Sequence, residues 1–304
     1  MTVAALVVRW RGGDEAARAV ASLYEHGGGR LRRVVVVDSG SGDGGAERLA
    51  AAFPTAELVA LPVNRSFAYS ADRGAERCRE DYLLLLNPDA RLTPGALDRL
   101  TEHLEAHPTL AAAVPLLHHP DGAAQHRWQL RILPSAGRLA AGLPGAPAFS
   151  TGPPSSPAPV AQPAASAWLV RRAVWSALGG LDPAFAPAWW EDVDFCSRLA
   201  AALGRPSFPA TEGFEVVPSA LVEHSGGASR EEMSDAAFLT AYHSNLLRYA
   251  ARHHPEHLGL IRGGLVLALG ARAALRPGRA RAYLTAARAV RKQPAPPPST
   301  SPSP

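Results

Sequence analysis

Acidic residues close apolar runs at several points of the chain, and these side chains are well suited to chemistry. Asp89 follows the run YLLLL at 82–86, and Asp38 follows the run VVVV at 34–37. A third group is WWEDVDFC at 189–196, where three carboxylates stand beside two tryptophans. Carboxylates bind Mg²⁺ or Mn²⁺, accept hydrogen bonds from hydroxyl and N–H groups, and act as general bases.

Asp89 lies where a buried strand is predicted to end. A short apolar run closed by Pro and Asp is typical of a strand buried on both faces. Thr93 and Pro94 then predict a helix start, with Thr as N-cap and Pro at the first helical position. Asp89 would lie beyond the carboxyl end of a central strand, where open α/β sheets bind ligands. A loop aspartate that only shapes a turn explains this stretch equally well.

Asp38 is followed by SGSGDGG, a glycine-rich turn that contains Asp43. A strand that opens through glycines into a helix start presents backbone N–H groups and carboxylates to a polar ligand. Because the acidic residue comes first, the turn differs from the G-x-G-x-x-G dinucleotide pattern. Its carboxylates suit a nucleobase N–H or a ribose hydroxyl better than a phosphate. A turn that only caps a helix beginning at Ala46 is an equally good interpretation.

The cluster at 189–196 predicts a helix that begins at Glu191. Acids in a first helical turn are stabilised by the helix dipole, and this alone would explain their presence. Aromatic rings beside an acid also suit a sugar or lipid acceptor, with the acid as base for the acceptor hydroxyl. His224, in EHSGGAS at 223–229, could close over a metal or a diphosphate, or it could be a structural histidine.

Strand-like and helix-like segments alternate through the first half of the chain. This alternation predicts an α/β fold with a largely parallel sheet covered by helices. Residues 134–164 are rich in Pro, Ala, Gly and Ser and are predicted to form a long mobile loop. Residues 236–292 are predicted to be helical, and residues 293–304 to be a disordered tail. Strands are expected near 3–10, 32–38, 56–61, 82–86 and 111–117, and helices near 14–24, 46–53, 69–78, 94–107 and 191–203.

Composition narrows the class of protein. The 304 residues are 47% hydrophobic, which allows a sizeable core, and the net charge is +4. Beyond residue 245, many basic residues face the single acid Glu256, which indicates an anionic partner, membrane lipid or nucleic acid, or simply solvated helices. The apolar segment 263–271 is far shorter than the roughly 20 residues of a spanning helix, so it is expected to lie on a bilayer. Cys78 and Cys196 are too few for a disulfide framework, which predicts a cytoplasmic location.

In their order along the chain, these stretches resemble the family 2 glycosyltransferases, inverting enzymes of GT-A fold that use a nucleotide-sugar. The similarity covers roughly residues 1–250. VVVVDSGSGDGG, LPVNRSFAYSADRG, LLLLNPDARLTPGAL, the segment ending in WWEDVDFC, and HSGGAS are similar to successive motifs of the family. DGAAQHRWQLRILPSAGRL is similar to a segment of the rhamnosyltransferase branch.

The resemblance implies a fold and a set of residue roles. It implies a GT-A domain over 1–235, with a mostly parallel mixed sheet flanked by helices, and a basic helical extension over 236–292. Asp192 would be the general base, with Glu191 as its catalytic partner, and Asp89 and His224 would hold Mg²⁺ or Mn²⁺. The nucleotide-sugar would be bound by Asp38, Ser39, Asp43, Asn64, Ser66, Asp72 and Asn87, and the acceptor by Trp189, Trp190 and Glu191.

The chain also departs from the family pattern. Its first strand ends in VVRW where the family usually has a Tyr-Asn pair, and Ser39, Ser66, Asp72 and Asn87 replace other residues. The reaction expected from the resemblance is metal-assisted transfer of L-rhamnose from dTDP-L-rhamnose to a saccharide or lipid-linked glycan. A UDP-hexose donor and a non-catalytic nucleotide-sugar-binding module are the alternatives. The basic helices would contact anionic lipid at the inner membrane face, and no nucleic acid partner is expected.

Overall fold

The structure, a computed structural model, describes residues 1–226 and 233–294. Its strands are β1 Val3–Arg9, β2 Leu31–Asp38, β3 Glu57–Ala60, β4 Tyr82–Leu86, β5 Ala90–Leu92, β6 Leu110–His118, β7 Leu130–Arg131, β8 Ala158–Val160, β9 Gln162–Pro163, β10 Ala167–Arg171 and β11 Glu212–His224. Its helices are α1 Glu15–His26, α2 Gly45–Ala52, α3 Phe67–Ala75, α4 Ala96–Ala106, α5 His126–Gln129, α6 Ala136–Ala140, α7 Arg172–Leu178, α8 Glu191–Ala202, α9 Asp235–His253, α10 Leu258–Leu275 and α11 Ala280–Lys292.

A twisted mixed sheet forms the centre of the molecule. Within the described residues it has nine strands in the order β3-β2-β1-β4-β10-β6-β11-β5, and β8 pairs with β11. Strands β3, β2, β1 and β4 are parallel, as are β6 and β11, whereas β10 is antiparallel to both of its neighbours. The apolar runs of β1 and β4 are buried at every position because helices cover both faces of the sheet. The predicted mostly parallel mixed sheet is confirmed.

Two helix starts differ from the sequence prediction. Helix α4 begins at Ala96 after Gly95, and the hydroxyl of Thr93 donates to the Leu221 carbonyl of β11 and does not cap the helix. Helix α3 begins at Phe67, because the Ser66 side chain accepts a hydrogen bond from the Tyr69 N–H and so caps the helix. In both cases a contact of one side chain decides the boundary.

The segment predicted as a long loop, 134–164, contains regular structure. It holds α6, β8 and β9, and β8 extends the main sheet by pairing with β11. Strand β9 pairs with β7, a two-residue strand just before the segment. These short strands gain their stability from partners far away in the chain, which local composition does not reveal.

The C-terminal helices α9, α10 and α11 share an apolar core with the main domain. This core includes Leu139 of α6 and Trp190 and Val193 around the start of α8, together with residues of all three helices. The helix predicted over 236–292 is divided into three by turns at Pro255–His257 and Pro277–Arg279. Of the predicted tail, residues 295–304 lie outside the described residues.

Helix α10 is longer than the apolar segment 263–271 indicated. Among the described residues, Pro255–Leu275 is the one helical stretch long and apolar enough to cross a membrane, with a mean hydropathy of 1.6 over its most apolar window. This is weak support for a span, since a core helix passes the same test by length and composition. However, only 22% of that window is buried in the protein.

Candidate functional site

Three neighbouring parallel strands bring the first group of candidate residues to one edge of the sheet. Arg9 ends β1 and pairs in register with Asp38, the last residue of β2. Asn87 follows β4, which lies on the other side of β1. Because the carboxyl ends of parallel strands meet at one edge, Asp38 and Asn87 lie on either side of the end of β1.

Asp38 and Asp43 are joined by Arg9, which was not predicted as a site residue. The buried guanidinium of Arg9 donates to Asp38 and to both carboxylate oxygens of Asp43, at 2.8 and 3.1 Å. Asp38 Oδ1 also accepts the Ser41 N–H at 2.8 Å. The Asp38 side chain is 6% exposed and the Asp43 side chain 30%. The Arg9 guanidinium holds the pKa of Asp43 below its usual range.

The other predicted nucleotide-sugar residues separate into two groups. Ser39 donates to the exposed side chain of Asn64 at 3.0 Å, so these two lie together beside the Asp38 turn. Ser66 is 1% exposed and its hydroxyl caps α3. Asp72 accepts the Leu181 N–H at 3.1 Å and borders a cavity of about 310 Å³ that Leu83, near the start of β4, also lines. Ser66 and Asp72 therefore both make structural contacts, and their binding of the nucleotide-sugar stays a prediction.

Asp89 and His224 are brought together by strand pairing. Strand β5 begins directly after Asp89, and its first residue, Ala90, pairs in register with His224 at the end of β11. His224 Nε2 lies 3.4 Å from Asp89 Oδ1. Its ring stacks on Trp128, with ring centroids 5.3 Å apart. Both candidate metal ligands are buried, at 5% and 3% exposure. Of the HSGGAS motif, residues 227–229 lie outside the described residues.

Gln125 sets the orientation of the His224 ring. Its amide nitrogen donates to the His224 carbonyl at 2.6 Å, so its amide oxygen faces the ring and accepts from Nδ1 at 2.9 Å. Nδ1 therefore carries a proton, and Nε2 is the ring nitrogen that faces Asp89. The space between Nε2 and the Asp89 oxygen is suited to a proton or a cation.

Asp192 lies at the start of α8, in a pocket of polar groups from β7, β9 and the chain before β10. Its carboxylate accepts the Val193 N–H at 2.8 Å and the Gln162 amide at 3.4 Å. Burial raises the pKa of Asp192, whereas the charge of Arg131 and N–H groups of Val193 and Ala165 lower it. Asp192 therefore remains the more acidic member of the Glu191–Asp192 pair.

Glu191 has no such compensation. Burial and the neighbouring Asp192 raise the pKa of Glu191 well above its usual range. Its Oε2 is buried and has no hydrogen-bond partner among the described residues, and the same holds for Gln162 Oε1. Glu191 is thus the member of the pair whose pKa is raised further.

A two-residue segment connects the Asp192 pocket to the end of β4. The Ala165 N–H lies near enough to the Asp192 carboxylate to lower its pKa, and the Ser166 carbonyl accepts the Asn87 N–H at 2.8 Å. Adjacent residues are about 3.8 Å apart along the chain. Asp192 and the Asn87-Pro88-Asp89 turn therefore lie close together in the fold, although they are about a hundred residues apart in the sequence.

The two tryptophans before α8 differ in exposure. Trp190 is 2% exposed and packs on Tyr242 and Tyr249 of α9, so its ring belongs to the core and the acceptor contact predicted for it is not supported. Trp189 is partly exposed and packs edge-on against Phe238. Both have positive φ, 73° and 78°, and Asn245 of α9 donates to carbonyls of this loop. The C-terminal helices thus hold the loop that positions Glu191 and Asp192.

Several polar residues of the site were missed because their partners are distant in sequence. Arg9, Gln125, Arg131 and Gln162 each contact a predicted site residue or its charge. The replacement of Tyr-Asn by Arg9-Trp10 was a signal for Arg9. A separate group, His254, Glu256 and His257, has ligand atoms within 4.8 Å of one another, but it lies at the turn before α10 and is partly exposed. Its H-x-E-H spacing was the signal for that group.

The residues at this edge of the sheet form three kinds of polar group that could take part in a reaction. The turn around Asp43 offers exposed carboxylate oxygens to hydroxyl or N–H groups. Asp89 and His224 offer an oxygen and a nitrogen to a cation. Asp192 offers a carboxylate beside the carboxyl group of Glu191, whose pKa burial raises. A carboxylate near two potential cation ligands would suit the transfer of a group from an anionic leaving group to a hydroxyl.

Solved structures share this fold. GalNAc-T7, crystallised with UDP, GalNAc and Mn²⁺, superposes with a TM-score of 0.66 over 99% of this chain at 13% identity, and this chain spans 59% of the length of that one. Mannosyltransferase PcManGT from Pyrobaculum calidifontis, in complex with GDP-Man and Mn²⁺, has a TM-score of 0.54 over 95% of this chain and 84% of its own, at 16% identity. S. aureus TarS 1–349 has a TM-score of 0.53 over 96% and 90%, at 12% identity. The GT-A fold is confirmed.

Sequence relatives agree with the fold. The N-acetylglucosaminyl-diphospho-decaprenol L-rhamnosyltransferase of Mycobacterium tuberculosis is 26% identical over 248 residues, which cover 73% of this chain and 75% of that protein. Residues 9–175, more than half of the chain, match the family model named Glycosyl transferase family 2. The chain therefore belongs to glycosyl transferase family 2, and it is a glycosyltransferase.

Proposed function

We propose that this enzyme transfers L-rhamnose from dTDP-L-rhamnose to a hydroxyl of a saccharide or lipid-linked glycan, with inversion at the anomeric carbon. The observation that carries the proposal is the proximity of Asp192 to the Asn87-Pro88-Asp89 turn, since the two contact the adjacent residues Ala165 and Ser166. The relative named as a rhamnosyltransferase for a lipid-linked N-acetylglucosamine supports the choice of donor and acceptor class.

On the donor side, the edge formed by β1, β2 and β4 would bind the nucleotide. Asp43 presents a partly exposed carboxylate, and Asn64 presents an exposed amide beside Ser39. Asn87 lies at the turn that leads to Asp89 and would approach the sugar or its diphosphate. These groups are polar and fixed by backbone contacts, so they would orient the donor before reaction.

The Asp89–His224 pair fits a divalent cation. Gln125 accepts a hydrogen bond from Nδ1 of His224, which leaves Nε2 facing an Asp89 oxygen 3.4 Å away. Histidine ligands commonly donate their other ring N–H to such a partner. A bound Mg²⁺ or Mn²⁺ would stabilise the negative charge that develops on the diphosphate leaving group. Two of the similar solved structures contain Mn²⁺.

On the acceptor side, Asp192 would be the base. The acceptor oxygen forms a bond to the anomeric carbon while the bond from that carbon to the diphosphate oxygen breaks. The acceptor proton passes to Asp192, and dTDP leaves with the electron pair of the broken bond. Glu191 and the partly exposed ring of Trp189 would help to bind the acceptor. Attack opposite to the leaving group inverts the anomeric centre.

The C-terminal helices would place this cleft at an anionic membrane surface on the cytoplasmic side. The outward face of α10 exposes Leu260, Leu267 and Leu275 at 67%, 75% and 81%. Helix α11, which packs against α10, exposes the basic residues Arg281, Arg288, Arg291 and Lys292. An apolar helix face beside basic side chains fits an interface of anionic lipid. A lipid-linked acceptor would be located at such a surface.

A panel of nucleotide-sugars tests the proposal. The purified enzyme is incubated with dTDP-L-rhamnose, UDP-glucose, UDP-N-acetylglucosamine and GDP-mannose, each with Mn²⁺ or Mg²⁺, and a lipid-linked N-acetylglucosamine acceptor. Consumption of dTDP-L-rhamnose with release of dTDP supports it. Turnover of UDP-sugars alone would show that the donor is a UDP-sugar, while the proposed glycosyl transfer would still hold. Tight binding without turnover, unchanged in Asp192→Asn, would favour a non-catalytic binding module.

Asp192→Asn is the decisive variant, because asparagine keeps the shape of the side chain and removes the base. We expect the transfer rate to fall by about 10²–10⁴, with nucleotide affinity unchanged. Glu212→Gln, at an exposed position at the start of β11, is the matched control. It should leave the rate at the wild-type value.

A further inference from the structure

A buried cation lies beneath the carboxylates of the proposed nucleotide site. Arg9 is 1% exposed, so it touches no ligand, yet it contacts both Asp38 and Asp43. The Asp38 carboxylate is turned inward, between the guanidinium and the Ser41 N–H. Asp43 stands between Arg9 and solvent, since Arg9 Nη2 and the Gly45 N–H hold it from one side and its side chain remains 30% exposed.

Gly45 provides independent support for a site built around this guanidinium. A Cβ atom at Gly45 would lie 2.7 Å from Arg9 Cζ and even closer to Arg9 Nη2. Gly45 opens α2 and its backbone is not left-handed, so the chain conformation does not require glycine there. The space that the missing side chain leaves is the space the guanidinium occupies.

The geometry points to Arg9 as a positioning residue that makes Asp43, and not Asp38, the carboxylate in contact with the nucleotide. Arg9 neutralises Asp38 in the interior and keeps Asp43 ionised and fixed in one orientation. This inference rests on the proposed function, since it assumes that this edge binds a nucleotide-sugar.

Substitution of each aspartate distinguishes this inference from the alternative that Asp38, and not Asp43, contacts the nucleotide. Titration calorimetry with dTDP and Mn²⁺ measures binding to each variant. Asp43→Asn should weaken binding more than tenfold, and Asp38→Asn less than threefold, because asparagine can still accept the Ser41 N–H in the interior. The reverse order would overturn the inference. If the wild-type protein binds neither dTDP nor UDP, the proposed function itself fails.

Variants of Arg9 test whether it acts through Asp43. Arg9→Lys keeps the charge but loses the planar fork that spans two carboxylates, so we expect about tenfold weaker dTDP binding, a raised donor KM and little change in kcat. In the Asp43→Asn background the same substitution should cost no further affinity. An additive loss in the double variant, or wild-type affinity in Arg9→Lys, would contradict the inference.

Gly45→Ala displaces the guanidinium without removing any charge. We expect it to weaken dTDP binding to a similar extent as Arg9→Lys, while the protein stays folded by circular dichroism. Gly137→Ala is the matched control, because Gly137 is an exposed helical glycine with no atom within 4 Å of the added Cβ. If Gly45→Ala binds dTDP as Gly137→Ala does, the guanidinium has no role in positioning.

Discussion

At the scale of single residues, Glu191 and Asp192 show how neighbours in sequence acquire different pKa values. Burial raises the pKa of both, but at Asp192 this is opposed by the charge of Arg131 and by the N–H groups of Val193 and Ala165. Glu191 has a buried oxygen without a partner among the described residues. The pKa of Glu191 is therefore raised well above its usual range, and that of Asp192 less so. Paired carboxyl groups with separated pKa values are typical of acid–base sites.

This difference predicts unequal effects of the two isosteric substitutions. Glu191→Gln replaces a protonated acid by a neutral amide that also donates a hydrogen bond, so we expect kcat to fall less than tenfold. The kcat of Asp192→Asn should fall by more than about a hundredfold. In the wild type, kcat should decline as pH falls through the Asp192 pKa, which lies above the usual aspartate range because of burial. Initial rates from pH 4.5 to 8.5 measure both effects, and equal losses would identify Glu191 as an ionised base.

Gln125 gives a second prediction at this scale. Gln125→Leu removes the acceptor for His224 Nδ1 and frees the ring to rotate away from Asp89. Loss of such an outer partner typically weakens metal binding by about 10–100-fold. Manganese affinity, measured by electron paramagnetic resonance, should fall by that factor. His107→Gln, at an exposed position after α4, should retain wild-type affinity, and equal affinities in both variants would exclude a metal role for His224.

At the scale of elements, α3 is joined to the loop before α8 by Asp72. Its carboxylate accepts the Leu181 N–H, and burial raises the pKa of Asp72 to about 7. The pKa of Asp72 is higher in the folded than in the unfolded protein, so Asp72 stabilises the folded state at pH values below its unfolded-state pKa. This contribution is lost as the pH rises from about 4 to 7. The family residue at this position, asparagine, would make the same hydrogen bond without ionising.

Asp72→Asn should therefore alter the pH dependence of stability and leave the site intact. At pH 8 we expect the variant to be more stable than the wild type by about 1–2 kcal/mol, after allowance for the partial exposure of the carboxyl group. At pH 4 the two should be equal. Denaturant unfolding at several pH values measures the difference, and a difference that does not change with pH would contradict the assignment.

Elements with a strong local signal were predicted well, and those that depend on distant partners were not. VVVVDSGSGDGG and YLLLLNPDA carry both the apolar run and the turn residues, so β2, β4 and the position of their carboxylates followed from the sequence. Helix α8 likewise begins at Glu191 as predicted. By contrast, β8 and β9 exist only through pairing with β11 and β7. The same reason conceals Gln162, whose relation to Asp192 arises from that pairing.

At the scale of the whole molecule, the C-terminal helices connect the cleft to an outer surface. Asn245 of α9 holds the Trp189 loop, and Asp194 of α8 is bonded by Arg252 and His253 at the end of α9. A shift of α9 would therefore also move the start of α8, where Asp192 lies. The third carboxylate of WWEDVDFC thus has a structural role, which explains why the cluster contains more acids than the reaction requires.

The outward face of α10 supplies the last prediction. Replacement of Leu260, Leu267 and Leu275 by glutamine removes apolar surface from exposed positions, so the fold should be unaffected while binding to lipid weakens. Co-sedimentation with vesicles of phosphatidylglycerol and phosphatidylcholine should show at least tenfold weaker partitioning of the triple variant, since each inserted leucine contributes about 1 kcal/mol or more.

The control for the α10 face is the double variant Val63→Gln/Leu221→Gln, which alters exposed apolar residues elsewhere. Wild-type protein should bind pure phosphatidylcholine poorly, because the basic face of α11 needs anionic headgroups. Equal binding of the triple variant would exclude this face, and a shift of the triple variant from dimer to monomer in solution would show that a second copy, and not lipid, covers it.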